Sequence, residues 1–428
     1  MADDEIIGAI GRRAVFKRDD LFVGSADADV EHLNFRLRSR FDFRFRVVYN
    51  ADLTFRGEDC DGAHRLRIHL KSMRIALDAT PLTVRTGGIR RYTAELARAL
   101  AELFEDDEIW LLSDREFENP VPEAANVRCG RGPRNPLERR WWLWGLQGEM
   151  SRLQIDVFHG TDFSTPYLPV RPSVMTLHDL SPWLKPGWHA DAERIRKRTP
   201  VLLRLGLATM IITPSEAVRK EAIDRFHLKE DRIVAIPLAV STIFHPVERN
   251  GNSRHYFLYA GTLEPRKNVH FLIESWLEVR KNHAVDLKLV GRRRKDFAEL
   301  PEAPGLEVLG CVSDEALRAL YSGAIACVYP SHYEGFGLPV LEAMQCGAAV
   351  IASKDAAISQ TVGDAALQLD AGDRRAWVEA LNAAVGEPPW VVELRQKGLK
   401  RASEFSWKRT ASRTREVYVE AVRRFRAG

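Results

Sequence analysis

No apolar run in the chain approaches the roughly 18 residues that a membrane-spanning helix requires. The N-terminal stretch MADDEIIGAIGRR carries negative charge ahead of its short apolar segment, the wrong sign for a secretory signal. Cysteine is sparse: Cys60, Cys129, Cys311, Cys327 and Cys346 are odd in number, far apart and without CxxC spacing. That usage offers neither a disulfide framework nor a zinc pattern and reads as reduced thiols of a cytoplasmic protein. A charge excess is also missing, since 63 Lys and Arg face 59 Asp and Glu for a formal net charge of +4. This balance suits anionic ligands or an anionic surface and is too weak for a nucleic-acid binder. Arg139-Arg140 and GRRRKD (Gly291–Asp296) read as solvated faces or loop ends.

What is present is length and rhythm. A chain of 428 residues exceeds the usual size of one hydrophobic core, so two domains are expected. Residues 1–72 stand apart as an N-terminal extension, in which FRLRSRFDFRFRVV (Phe35–Val48) alternates apolar and mostly charged residues with the period of a half-buried strand. From Met73 the order becomes strand, loop, helix, repeated, and the functional chain is expected to begin there. Predicted strands are Met73–Thr80, Glu108–Ser113, Val157–Gly160, Ser173–Asp179 and Thr209–Ser215. Short apolar strands alternating with helices imply a parallel sheet covered on both faces. The pattern restarts after the polar linker Ala239–His255 with YFLYAGT, DLKLVG, LEVLGCVS, IACVYPS, AAVIAS and ALQLD. The expected division is 73–248 for a first Rossmann-like domain, 249–408 for a second and 409–428 for a helical tail. Two such units create a cleft between the carboxyl ends of their sheets, where ligands of this architecture bind.

One stretch concentrates the chemistry. PSHYEGFGLPVLEAMQCG (330–347) runs from a strand through a glycine-bracketed turn into a helix predicted to start at Pro339 and stop at Gly347. Gly335 and Gly337 allow close approach of a ligand, and amides at a helix start favour anions. Glu334 and Glu342 read either as a capping and a solvent-facing pair or as grips for two polyol ends of one long ligand. GTLEPRKNV (Gly261–Val269) sets Arg266 and Lys267 between a strand and a helix at the same mouth, where adjacent cations suit a diphosphate.

Together, GTLEPRKNV, EGFGLPVLEAMQCGAAVIAS, TGGIRRYTAEL, TLHDL and ITPSEAVRKEAI resemble, in order, the retaining nucleotide-sugar-dependent glycosyltransferases of family 4. The resemblance covers roughly Met73 to the C-terminus. It implies the GT-B fold, an α/β architecture of two Rossmann-like doubly wound domains facing a cleft. It further implies that Glu342 binds the ribose, that Glu334 binds donor-sugar hydroxyls, and that the amides of Phe336, Gly337 and Leu338 cradle sugar and phosphate. Arg266 and Lys267 would neutralise the departing diphosphate, Gly87 and Gly88 would close over the phosphate, and His178 would sit beside the transferred sugar. Asp179 would either orient His178 or cap a helix. No metal is expected, and no DxD-type pair stands at a strand end of the cleft.

No single residue decides the base. LDATPL, TGGIRRY and RNPLERRWWLWGL are similar to bacterial mannosyl- and rhamnosyltransferases of surface polysaccharides, which implies GDP-mannose or a relative, with UDP-sugars left open. The acceptor is expected to be a glycan or a lipid-linked glycan. RRWWLWGLQGEMSRL (Arg139–Leu153) reads either as tryptophans packed on the sheet or as a basic, aromatic helix at the inner face of an anionic membrane. The rival functions are another GT-B enzyme, such as a sugar-nucleotide epimerase or a glucan or disaccharide synthase, and a catalytically silent GT-B scaffold.

Overall fold

The computed structural model describes residues 54–56, 67–69 and 72–427, apart from 85, 86, 190, 191 and 249–254. The chain divides into two compact units, Met1–Ser72 and Met73–Gly428. In the first, β1 (Thr54–Arg56) pairs antiparallel with β2 (Arg67–His69), Phe55 opposite Ile68. The predicted strand at Phe35–Val48 lies outside the described residues.

The second unit holds two parallel sheets. One contains β3 (Arg74–Asp78), β4 (Glu108–Leu112), β5 (Val127–Cys129), β6 (Val157–Gly160), β7 (Ser173–Thr176), β8 (Met210–Thr213) and β9 (Ile233–Ala235). Their order across the sheet is β5-β4-β3-β6-β7-β8-β9. The other contains β10 (Tyr256–Ala260), β11 (Asp286–Val290), β12 (Leu306–Gly310), β13 (Ala326–Tyr329), β14 (Ala349–Ser353) and β15 (Leu367–Leu369), in the order β12-β11-β10-β13-β14-β15. In both, the strand order reverses beside the first strand, between β3 and β6 and between β10 and β13, which is where doubly wound sheets open a crevice at their carboxyl ends. β6, β7, β8, β10, β13 and β14 are buried at every position, as sheets covered on both faces require.

Seven helices matter below: α1 (Gly88–Leu103), α2 (Leu146–Arg152), α3 (Glu216–Phe226), α4 (Asp314–Gly323), α5 (Leu338–Gln345), α6 (Pro389–Ala402) and α7 (Trp407–Ala427). α6 covers α5 and β14 in the second half. α7 crosses back and packs on α1 and on β6, β7 and β8 of the first. Its buried residues, Trp407, Thr410, Ala411, Thr414, Arg415, Val417, Tyr418 and Ala421, follow helical spacing. The predicted tail is therefore part of the first core. Buried Arg415 Nε and Nη2 meet Asp107 at 2.6 and 2.9 Å, and Asp107 also accepts from Met73 N. Tyr418 OH bonds His159 Nδ1 at 2.7 Å, while His159 Nε2 meets Thr176 Oγ1 at 2.7 Å.

The stretch expected as a polar linker is also more structured than its composition suggests. Within it Ala239, Val240 and Phe244 are buried, and Gln345 Nε2 donates to the carbonyls of Ser241 and Phe244.

Burial, and then the nearby His178, lowers the pKa of His159 to about 3. The unfolded imidazole protonates below about 6.5, so the unfolded state binds the extra proton and stability falls as pH drops from about 6.5 towards 3. Urea unfolding between pH 7 and 4 is expected to show this slope, up to about 1.4 kcal/mol per pH unit from this group. His159→Gln should flatten it; an unchanged slope would assign the loss to other groups.

Candidate active site

The site is built from loops at the carboxyl ends of both sheets. After β10 the chain forms the helical turn Pro265–Lys267, and Asn268 follows in the left-handed region at φ 57°. Asn268 Nδ2 donates to the carbonyls of Pro330 and Ala371, tying this loop to the one after β13. The latter carries Glu334, Gly335, Phe336 and Gly337 into α5. The helix starts at Leu338, one residue before the predicted Pro339, because Gly337 at φ 89° serves as its N-cap.

Glu334 is buried, and both its oxygens meet Lys267 Nζ, at 2.5 and 2.6 Å. Arg266 Nη1 reaches Glu334 Oε2 at 3.1 Å and the Tyr333 carbonyl at 2.7 Å, while its Nη2 donates to Glu264 Oε1 at 2.7 Å. Burial alone would raise the pKa of Glu334, but Lys267 and Arg266 outweigh it and hold the carboxyl down to about 2. Arg266 is thus enclosed between two glutamates rather than presented as an open fork. The neighbouring arginine of GRRRKD, Arg294, is not simply solvated: it contacts Glu264, Asp296 and the carbonyl of Trp188.

At the other end of the motif, Glu342 is 2 % exposed. Its Oε1 accepts from Arg91 Nη1 and its Oε2 from Tyr321 OH at 3.1 Å. Burial raises the pKa of Glu342, and the Arg91 guanidinium opposes the rise. Between the carboxylates, the amides of Phe336, Gly337 and Leu338 have no acceptor among the described residues, whereas the Phe336 carbonyl takes Thr361 Oγ1 at 2.6 Å. Three successive open amides at a helix start form an anion-binding concavity.

The first half supplies the facing wall. A Cβ built on Gly335 would lie 2.0 Å from the His178 carbonyl oxygen, so the two loops touch backbone to side-chain position. Ser215 Oγ donates to the Gly335 carbonyl at 2.8 Å, and Leu180 N donates to Tyr333 OH at 3.0 Å. His178 Nε2 donates to the Thr161 carbonyl at 2.6 Å, which leaves Nδ1 as the acceptor nitrogen. Burial lowers the pKa of His178 despite that bond, keeping the ring neutral at physiological pH. Asp179 makes no hydrogen bond to the histidine; its Oδ1 accepts from Ser181 N and Oγ just ahead of the helical turn Ser181–Leu184, whose N-cap position is Leu180. Gly87 lies at φ 138° before α1, and a Cβ on Gly87 or Gly88 would meet nothing within 4 Å. Backbone conformation, not packing, accounts for glycine at Gly87.

Comparison with known proteins agrees with this geometry. Residues 86–243 match the model for "Glycosyltransferase Family 4" and residues 254–387 the model for "Glycosyl transferases group 1". O-antigen chain mannosyltransferase B of Escherichia coli is 30 % identical over 384 residues, spanning 81 % of this chain and 99 % of that protein. The chain belongs to glycosyltransferase family 4. A second relative, the MMP alpha-(1->4)-mannosyltransferase of Mycolicibacterium hassiacum, is 31 % identical over 264 residues, 57 % of this chain and 61 % of that protein. Among solved structures, sucrose-phosphate synthase from Thermosynechococcus elongatus superposes with TM-score 0.62 at 20 % identity, covering 81 % of this chain and 98 % of that one. Anabaena HepE, determined with UDP and glucose, gives TM-score 0.62 at 17 % identity, covering 80 % of this chain and 98 % of that one. These likenesses place the transferase in the GT-B fold.

The transferase's site includes residues that sequence reasoning passed over. Glu264 and Asn268 stand inside the quoted GTLEPRKNV but carry no charge pattern that marks them. Tyr333, whose hydroxyl donates to Glu221 Oε2 at 2.7 Å, and Arg91 act across the cleft, which no local spacing reports. Among the described residues no group of three or more His, Cys, Asp or Glu is arranged to hold a metal ion.

Gly335→Ala is expected to separate the two walls. The added methyl should lower stability by about 1–3 kcal/mol, the usual range for overpacking, and reduce glycosyl transfer at least tenfold. A melting curve and turnover equal to wild type would show that this close approach is dispensable.

Proposed function

We propose that the enzyme transfers a mannosyl group from GDP-mannose to a glycan or lipid-linked glycan acceptor, with retention of anomeric configuration and without a metal. The observation that carries this reading is the row of open amides at Phe336, Gly337 and Leu338, flanked by the buried carboxylates of Glu334 and Glu342. A diphosphate on the amides sets one polyol against each carboxylate, the ribose at Glu342 and the donor sugar at Glu334. Mannose is favoured because both relatives described above are named as mannosyltransferases.

Chemically, the bond between the anomeric carbon and the phosphate oxygen breaks, and its electron pair leaves with the nucleoside diphosphate. Lys267 and the amides stabilise that charge as it forms. Arg266, enclosed as it is, holds Glu334 ionised and adds positive potential from behind. Glu334 takes over sugar hydroxyls as Lys267 turns to the phosphate. The neutral Nδ1 of His178 accepts a hydrogen bond from a hydroxyl of the transferred sugar, and the acceptor hydroxyl attacks on the face the leaving group vacates, passing its proton to the departing phosphate oxygen.

Thermal-shift titration with GDP, UDP and ADP, in parallel on Glu342→Ala, tests the pocket. A shift of several degrees with GDP alone, lost in the variant, is expected; a larger shift with UDP would replace the donor. Lys267→Ala should lower donor turnover at least tenfold, about 1.4 kcal/mol in the barrier. EDTA should leave turnover intact, and a strict Mg²⁺ requirement would count against leaving-group stabilisation by Lys267 and the amides.

We further propose a peripheral contact with an anionic membrane. No helix among the described residues is long and apolar enough to cross one. Of the three neighbouring tryptophans, Trp141 is buried and Trp142 stands edge-on to Phe158, but Trp144 is 47 % exposed. Trp144, Leu137 and Val170 border a cavity of about 450 Å³ along α2, and Arg139 and Arg140 are exposed beside them. Aromatic and basic groups together suit an anionic interface. Trp144→Ser is expected to reduce co-sedimentation with phosphatidylglycerol vesicles several-fold; absence of binding by the wild-type enzyme would remove this contact.

A further inference from the structure

We propose that Arg91 is a donor-displaced latch, a positioning residue that occupies the ribose seat on Glu342 until the nucleotide arrives. The inference rests on the reading of Glu342 as that seat.

Arg91 belongs to α1 in the first half, while both its acidic partners belong to the second. Nη1 donates to Glu342 Oε1, and Nη2 donates to Asp314 Oδ1 at 2.5 Å. The guanidinium carbon also lies 5.0 Å from the centre of the Phe244 ring, which fixes its approach from a third side. Tyr321 OH already holds the second oxygen of Glu342, so the carboxylate has both oxygens engaged. A vicinal diol binds a carboxylate through those same oxygens. Ribose and Arg91 therefore compete for one group.

The arginine has a reason to be there. A buried carboxylate without a partner is strongly unfavourable and neutralises instead, and the Arg91 guanidinium opposes that neutralisation of Glu342 in the empty enzyme. The side chains differ in what they lose on separation. Asp314 is 42 % exposed and Glu342 only 3 %. When ribose hydroxyls take over the hydrogen bonds of Glu342, Arg91 can remain on the more exposed Asp314. Arg91 N donates to the Gly87 carbonyl at 3.1 Å, so the latch residue stands one helical turn from Gly87 and Gly88. Because only the fraction of enzyme with the latch open accepts the nucleotide, apparent affinity is reduced by that fraction.

Calorimetric titration of GDP, with UDP and ADP alongside, into wild type, Arg91→Met, Arg91→Lys, Glu342→Ala and the Arg91→Met/Glu342→Ala double variant tests the latch. Arg91→Met should bind the preferred nucleotide at least threefold more tightly while the empty variant melts earlier than wild type. Its KM for donor should fall without a rise in kcat, and Arg91→Lys should lie between. In the Glu342→Ala background the tightening should vanish. Weaker binding by Arg91→Met would make Arg91 a direct nucleotide ligand and overturn the latch, as would unchanged binding or tightening that persists without Glu342. If Glu342→Ala binds nucleotide as well as wild type, the ribose seat itself is misassigned and the latch falls with it. A latch failure with weak Glu342→Ala binding leaves the seat standing.

Discussion

A buried carboxylate must be met by positive charge, and the arrangement of the cleft follows from satisfying that demand twice. At Glu334 the cations come from the same half: Lys267 and Arg266, held on a short turn after β10. At Glu342 the cation comes from the other half, through Arg91. The first pairing makes a self-contained charged pocket, insensitive to how the halves meet. The second makes the charge balance at Glu342 depend on contact between the two halves. One motif thereby contains a fixed end and a responsive end.

The wall opposite is set by backbone rather than charge. Gly335 allows the His178 carbonyl to approach to a distance that any Cβ would forbid, and Ser215 and Tyr333 add hydrogen bonds around that contact. The result is a neutral imidazole, anchored through Nε2 to Thr161, on a loop whose backbone touches the loop that carries Glu334.

Much of this was legible because most of the strands are largely apolar and buried. The expected strands at Val157–Gly160 and in YFLYAGT, DLKLVG and AAVIAS coincide with observed ones to within one or two residues, since burial on both faces leaves a continuous signal. β5 and β9 escaped notice because three residues, partly exposed, carry no period. The motif from Glu334 to Glu342 was readable from its glycines and helix start. The partners of those residues were not: Arg91 looks like any arginine on an amphipathic helix, and Arg294 looked like part of a solvated run. Charge pairing across a cleft is a property of tertiary placement, and local pattern contains no record of it. Likewise the C-terminal segment reads as a helical tail without saying which core it would cover.

The return of α7 has a mechanical meaning. The polypeptide passes between the halves twice, once after β9 and once between α6 and α7. A body tethered at a single point can swivel in any direction, whereas one tethered at two turns most easily about the line that joins them. The second crossing therefore converts a loose joint into a door hinge, and confines the opening of the cleft to one principal arc.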